Sequence, residues 1–360
     1  MKNLKKKVII AAGGTGGHII PAISIAEELI KNNVDVLFVG NKNSMEQELT
    51  TKREIAFKSI NVQKFYRKIT LTHLKFPFKL IKSILDSVKI IRDFQPDAFI
   101  GTGGFVSGPV GYTAHLKKVP IFLQEQNSYP GATTRILSRY AEKIFLGAKE
   151  AEKYLPKKKV IFSGNPVNSK IIGETAKLDF DEFGLKKDTT KLFLTGGSQG
   201  SVVLNKTFLP IVDELLENGI EIIWQIGKFS FSEFYPKIQN KKGIYSFDFT
   251  DEIGKVYNSV DFVIARAGAI SLAELETKKL PSILIPLPSA AGNHQYYNAM
   301  ELQDKGVAIV IEQNKLTSAS LLEVILKMKN EYKKMKEDFR ETKHLKSAEN
   351  ISKEILGLIK

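Results

Sequence analysis

A chain of 360 residues with 43% hydrophobic content is long enough for two globular domains with real cores. It has no cysteine, which excludes disulfides and thiolate chemistry, and no apolar run approaches the length of about 18 residues that a membrane-spanning helix needs. Its net charge of +14 points to an anionic partner: nucleic acid, a membrane surface or phosphorylated ligands.

The first informative stretch is Lys5-Lys6-Lys7-Val8-Ile9-Ile10-Ala11-Ala12-Gly13-Gly14-Thr15-Gly16-Gly17-His18. An apolar run ends in four glycines within five residues, and an amphipathic helical pattern follows over 19–31. This reads as a buried strand, a tight loop and a helix N-terminus. Glycines there let a ligand reach bare backbone, and the helix N-terminus favours anionic groups. The glycines also cut the apolar run too early for a secretion signal, so a cytosolic chain is expected.

Strands are expected at 34–39 and 57–62. Residues 64–92 are basic and aromatic and read as two helices broken near Pro77. A short strand at 98–100 leads into Gly101-Thr102-Gly103-Gly104-Phe105-Val106-Ser107-Gly108-Pro109, with helix to 117. A strand at 120–123 ends in Gln124-Glu125-Gln126-Asn127. Helix follows over 131–140, then strands at 143–145 and 160–162. Ser163-Gly164-Asn165-Pro166 reads as a domain boundary, which gives domains 1–163 and 164–360.

The second half repeats the plan. A strand at 191–194 runs into Thr195-Gly196-Gly197-Ser198-Gln199-Gly200, a helix over 201–217 and a strand at 221–225. Further strands are expected at 243–247, 262–264, 282–285 and 308–311. Residues 318–360 read as helical with a break near 343–347, the last helix packing back on the N-terminal domain. Alternating strands and helices imply parallel sheets covered on both faces. The expected class is α/β, with two Rossmann-like domains facing across a cleft.

An NAD enzyme would carry G-x-G-x-x-G and an acid ending strand two. This chain has GGTGGH, and strand two ends Phe38-Val39-Gly40-Asn41-Lys42. No glycine loop closes with Lys-Ser/Thr, which argues against a Walker A nucleotide triphosphatase. The loops at 196–201 and 265–274 suit a diphosphate on a helix N-terminus. Glu274, one turn into its helix, either accepts two hydrogen bonds from a ribose cis-diol or is a first-turn acid favoured by the helix dipole.

Seven motifs stand in order: GGTGGH-x-x-P from 13, GTGGFVSGP at 101, QEQN at 124, SGNPV at 163, TGGSQG at 195, RAGA-x-S-x-x-E at 266 and NHQYYNA at 293. Together they resemble the MurG family, the peptidoglycan glycosyltransferases of family 28, over nearly the whole chain. The resemblance implies a GT-B fold and an inverting transfer of N-acetylglucosamine from UDP-GlcNAc to lipid I (undecaprenyl-diphosphate-MurNAc-pentapeptide), giving lipid II. It implies a donor held mainly by the C-terminal domain. Ser198 would meet the diphosphate, Thr250 the uracil, Ala269, Ile270, Ser271 and Glu274 the phosphate and ribose, and Gln295 the sugar. Thr15, Gly16, Gly17 and Asn127 would reach the donor from the N-terminal domain. Gly14, Gly103 and Gly104 would hold the acceptor diphosphate.

This chain departs from the family twice. Asn168 stands where an arginine is usual, so Asn168 or Lys170 takes that place, and the usual HEQN reads Gln124-Glu125-Gln126-Asn127. UDP-GlcNAc is a substrate, and no cofactor, metal or nucleic acid is expected. The implied location is peripheral, on the anionic cytoplasmic leaflet of the bacterial plasma membrane, with other cell-wall synthesis proteins as partners.

An inverting transfer needs a group that takes the acceptor proton and a site that stabilises the leaving diphosphate. His18 is one candidate base, because the positive end of a helix dipole favours neutral imidazole. Glu125, beside the C-terminal edge of the sheet, is the other. Asp179-Phe180-Asp181 has D-x-D metal-motif spacing but no preceding strand, and reads as surface helix. Lys75, Phe76, Phe78, Lys79, Leu80 and Lys82 mix basic and apolar groups as an interfacial patch does. Two rival functions share these loops: a non-catalytic nucleotide-sugar-binding subunit, and a transferase to another lipid such as diacylglycerol.

Overall fold

The computed structural model describes residues 5–62 and 76–359, with backbone alone at Phe76 and Pro77. It divides into two units, Met1–Asn168 with Lys343–Lys360, and Ser169–Thr342.

The first unit opens with β1 (Lys7–Ala11), α1 (Gly16–Lys31), β2 (Asp35–Gly40), α2 (Met45–Thr51) and β3 (Ala56–Ser59). It continues with α3 (Phe76–Phe94), β4 (Ala98–Gly101), α4 (Gly104–Leu116), β5 (Ile121–Glu125), α5 (Ala132–Leu137), β6 (Lys143–Leu146) and β7 (Val160–Phe162). Its strands pair in parallel in the order β3-β2-β1-β4-β5-β6-β7. Side chains alternate between the two faces of a strand. Val8 and Ile10 therefore join one core with Phe38 and Ile100, while Ile9 and Ala11 join another with Val39 and Phe99. Burial on both faces explains why these strands read as continuous apolar runs.

The second unit holds α6 (Ser169–Gly173), β8 (Thr190–Thr195), α7 (Val202–Phe208), α8 (Val212–Glu217), β9 (Ile220–Gln225) and α9 (Phe231–Phe234). Next come β10 (Ile244–Phe247), α10 (Ile253–Ser259), β11 (Phe262–Ala265), α11 (Ala269–Thr277) and β12 (Ser282–Leu284). It closes with α12 (His294–Asp304), β13 (Ala308–Val310) and α13 (Ser318–Glu337). Its parallel sheet has the order β10-β9-β8-β11-β12-β13. Trp224 is fully buried, and its indole N–H donates to Asn205 Oδ1 at 3.1 Å, so the core holds no unpaired donor there.

The last helix, α14 (Ser347–Leu358), belongs to the first unit. Ile351, Ile355 and Ile359 recur at the four-residue spacing of one helix face and join the core lined by Ile19, Ile23 and Ala26 of α1. Lys6 Nζ closes the helix end, donating to Ile359 O at 2.7 Å and Leu356 O at 3.2 Å.

Several expectations need correction. The units divide after Asn168, not after residue 163, and residues from Lys343 onward leave the second unit. Ser163, Asn165 and Val167 are buried, and a methyl group at Gly164 would stand 2.8 Å from His344 N. Ser163–Pro166 is therefore core packing and not a linker. Helix α1 starts at Gly16, ahead of Ile19. The helix expected over 201–217 is broken by a 3-10 turn at Leu209–Ile211, where Pro210 has no N–H to continue the ladder. The described part of α3 runs from Phe76 through Pro77 to Phe94, so the break expected near Pro77 falls at the edge of the described residues. Residues 63–75 of that stretch lie outside the described residues. Asp179-Phe180-Asp181 enters an exposed turn and not a helix; Lys187 Nζ sits 2.8 Å from Asp181 Oδ2.

Candidate functional site

In each sheet the strand order reverses beside the first strand of the unit, between β1 and β4 and between β8 and β11. Open α/β sheets bind ligands at such switch points, off the strand C-termini. All the glycine loops of interest leave from these two places.

In the first unit Ala11 of β1 pairs in register with Gly101 of β4, so the following loops leave side by side. They touch. Gly104 has φ +77, and a methyl group on it would stand 2.0 Å from Gly13 O. Ser107 Oγ ties the two loops, its one hydrogen shared between Ala11 O at 2.6 Å and Gly103 O at 2.7 Å. The N-caps of α1 and α4 are Thr15 and Gly103, and neither makes a side-chain cap hydrogen bond. No side chain therefore caps the start of either helix, and although His18 N already donates to Thr15 O at 3.0 Å, the two neighbouring helix N-termini form a place that favours an anion. Gly14, Thr15 and Gly17 are exposed and Gly16 is half-buried.

His18 lies across this cradle. Its Nδ1 is 2.8 Å from where a side chain at Gly103 would begin, so only glycine fits beneath it. Thr102 Oγ1 donates to His18 O at 2.8 Å, and His18 Nδ1 is 2.9 Å from Gln126 Oε1. Glu125, the other candidate base, is the buried last residue of β5. Its Oε1 accepts from Asn127 N and Nδ2, both at 3.2 Å, and its Oε2 accepts from Gly131 N at 3.0 Å. It anchors the loop that carries Asn127, and both its oxygens are engaged.

In the second unit Thr195 pairs with Ala265, which again brings two loops together. Two amides expected to face a phosphate are satisfied within the chain: Gly197 N donates to Thr195 Oγ1 and Gly200 N to Gly197 O. Ser198 and Gln199 remain exposed at the loop tip. Helix α7 is capped by its own Ser201, whereas α11 starts after Gly268 with no side-chain cap, so its opening at Ala269, Ile270 and Ser271 is the better anion site. Arg266, which sequence reasoning gave no role, donates to Ile285 O, Ser201 Oγ and Gln313 Oε1 at 3.1, 2.8 and 2.7 Å. It braces the loops after β8, β12 and β13. Burial lowers its pKa to about 10, so it stays charged at neutral pH.

Glu274 accepts a hydrogen bond from Tyr257 Oη at 3.0 Å. Burial pushes its carboxyl up to about 7, and the tyrosine hydrogen bond only partly opposes this. Thr250 follows β10, and its Oγ1 accepts from Glu252 N at 3.0 Å. Gln295 lies in the first turn of α12, and its Oε1 accepts from Leu287 N at 3.0 Å. Asn168 closes the first unit, and Lys170 is exposed on α6.

The profile of the glycosyltransferase family 28 N-terminal domain matches residues 8–146, and that of the C-terminal domain matches residues 191–355. An enzyme of Flavobacterium psychrophilum named UDP-N-acetylglucosamine--N-acetylmuramyl-(pentapeptide) pyrophosphoryl-undecaprenol N-acetylglucosamine transferase is 36% identical over 359 residues, 98% of each chain. This chain belongs to glycosyltransferase family 28. The Bacillus subtilis enzyme of the same name is 32% identical to this family 28 chain, over 94% of it and 95% of the relative. The crystal structure of Acinetobacter baumannii MurG superposes with a TM-score of 0.74 at 27% identity, covering 98% and 99% of the two chains. The fold class is GT-B, two parallel-sheet α/β domains.

One surface of this glycosyltransferase exposes large apolar side chains. On α3, Phe78, Ile81 and Leu85 share a face at helical spacing and are 76%, 57% and 63% exposed. Leu80 is 36% exposed, Lys82 is exposed and Lys79 half-buried. Lys75 and the Phe76 side chain lie outside the described residues. Among the described residues no helix is long and apolar enough to cross a membrane.

Proposed function

We propose that this chain transfers N-acetylglucosamine from UDP-GlcNAc to N-acetylmuramyl-(pentapeptide) pyrophosphoryl-undecaprenol, lipid I, giving lipid II. The observation that carries the reading is the pairing of glycine loops at both switch points, each beside a helix N-terminus without a side-chain cap. Two anion cradles suit a reaction in which donor and acceptor are both diphosphates. The relatives' names supply the chemical identity of each.

In this reading the donor diphosphate meets the exposed tip at Ser198 and the opening of α11, with Glu274 on the ribose and Gln295 on the sugar. Thr15, Gly16, Gly17 and Asn127 serve the donor from the first unit, and Gly14, Gly103 and Gly104 hold the acceptor diphosphate. His18 takes the proton of the acceptor hydroxyl at Nε2 as that oxygen bonds to the anomeric carbon. The bond from that carbon to the donor diphosphate breaks, and its electron pair leaves with UDP. In this reading His18 rather than Glu125 is the base, and Glu125 shapes the loop by accepting three N–H groups. Amides and helix dipoles meet the leaving charge, so the reading needs no divalent cation. The apolar face of α3 with its lysines holds the enzyme against the anionic membrane leaflet where lipid I resides.

A product assay with a panel of UDP-sugars and a short-chain lipid I analogue tests this directly. Transfer from UDP-GlcNAc alone, undiminished by EDTA, is the expected outcome. Transfer to diacylglycerol in place of the lipid I analogue, or loss of activity in EDTA with recovery in magnesium, would contradict it.

A further inference from the structure

Behind His18 lies a closed set of buried amide side chains. Gln124, Gln126 and Asn165 are at most 3% exposed. An amide's oxygen and nitrogen are told apart by their partners, and here main-chain carbonyls, which can only accept, decide. Gln126 Nε2 is 2.7 Å from Thr102 O and 3.3 Å from Gln124 O, so it must be the donor end. Asn165 Nδ2 is 3.1 Å from Gln126 O, which fixes that side chain independently. Asn165 Oδ1 must then accept from Gln124 Nε2, at 3.1 Å, and Gln124 Oε1 from Gln126 Nε2, at 2.5 Å. Both routes leave Gln126 Oε1 as an acceptor facing His18 Nδ1 at 2.9 Å.

The set is held at its far end too. Asn165 N donates to His344 Nδ1 at 2.7 Å, and a methyl group at Gly147 would stand 1.9 Å from Asn165 Oδ1, so only glycine there leaves space for the Asn165 side chain.

We propose that Gln126 is a positioning residue that fixes the tautomer of His18: its oxygen accepts from Nδ1–H and leaves the lone pair on Nε2, toward the ligand side. The proposal rests on His18 as the base. A neutral imidazole can take a proton only at the nitrogen that lacks one, so the wrong tautomer presents a donor to the acceptor hydroxyl. Gln124, which stands where the family usually has histidine, completes this relay through its amide. A carboxylate in place of Gln126 would also accept from Nδ1, but it would face Thr102 O and Gln124 O with no proton to give.

Nitrogen-15 NMR on uniformly labelled enzyme tests the native state without any variant, and with five histidines in the chain the ring signals are assignable through H18A. The expected result is protonated Nδ1 and unprotonated Nε2 at His18; the opposite tautomer overturns the proposal. Q126M, close in shape, should lower kcat about a hundredfold, the lower end of what a general base supplies. It should leave the KM for UDP-GlcNAc unchanged and mix the His18 tautomers. Full kcat in a folded Q126M, as judged by its melting temperature, overturns it as well. In the H18A background Q126M should cost nothing more, because the two residues act as one unit; a second independent loss would mean Gln126 does not act through His18. If H18A itself keeps native kcat, the base reading falls and the catalytic part of the proposal with it. Loss in H18A without loss in Q126M sinks the positioning role alone.

Discussion

Glu274 is a carboxyl that titrates near neutrality, and that has two consequences of opposite sign. A ribose diol donates to a carboxylate, so donor binding favours the charged form. The diphosphate of UDP-GlcNAc is ionised throughout, so the enzyme's titration is what shows. Below about 7 the carboxyl holds a proton in the free protein. Affinity for UDP-GlcNAc should therefore rise up to tenfold between pH 6 and 8, with proton release on binding. E274Q should give a flat profile, and a calorimetric titration in buffers of different ionisation enthalpy reads both. Stability runs the other way. Between the ordinary carboxylate value of about 4.3 and about 7, the folded chain keeps a proton that the unfolded chain has lost, so raising pH through this window lowers the melting temperature of the apo enzyme. Y257F removes the hydroxyl that opposes the upward shift and should move the binding profile to higher pH. The glycine loops were legible in the sequence because each follows a strand. Tyr257, Arg266 and Gln126 were not, because each acts on a partner 17 to 108 residues away, which no spacing encodes.

Among the elements, α14 shows how a terminal segment completes a core that starts the chain. Its isoleucines pack against α1, whose C-terminal neighbour in sequence is β2 and whose N-terminus carries His18. Ile355 is fully buried, and I355A should cost about 2–5 kcal/mol of first-unit stability, read as a lower denaturant midpoint. An equal truncation at Leu358, 47% exposed, should change it by less than about 0.5 kcal/mol. Equal effects would mean that the apolar face does not hold this helix. A related test at the loops is G104A. With φ +77 and Gly13 O only 2.0 Å from the added methyl, the two loops must part, and activity should fall along with stability. Strand positions were read to within a few residues, because parallel strands buried on both faces leave an apolar signature. Helix α2, with Glu46 and Thr50 buried, was missed, since its polar composition gives no amphipathic stripe. The boundary at 163 was misplaced because Gly164 and Asn165 look like punctuation, yet they are packed against His344.

For the whole molecule, the proposed membrane attachment would combine two forces that salt separates. The net charge of +14 creates a long-range attraction to an anionic leaflet, screened over about 8 Å at physiological ionic strength. The stripe Phe78, Ile81 and Leu85 acts only on contact and is insensitive to salt. Each of its side chains gains at most about 1.5–3 kcal/mol on full burial, while each lysine near the surface adds about 1 kcal/mol. Neither force alone matches a spanning helix, so binding should be reversible and need both. The predicted outcome for F78S/I81S/L85S is weak sedimentation with anionic vesicles that raised salt abolishes, whereas the wild type retains a salt-resistant fraction. On neutral vesicles the wild type should bind only through that fraction and the variant not at all. Turnover of a water-soluble lipid I analogue should be the same in both proteins, because the three substituted side chains face solvent. Turnover of full-length lipid I in vesicles should fall in the variant. Equal sedimentation of the two proteins at every salt concentration would move the membrane face elsewhere on the molecule.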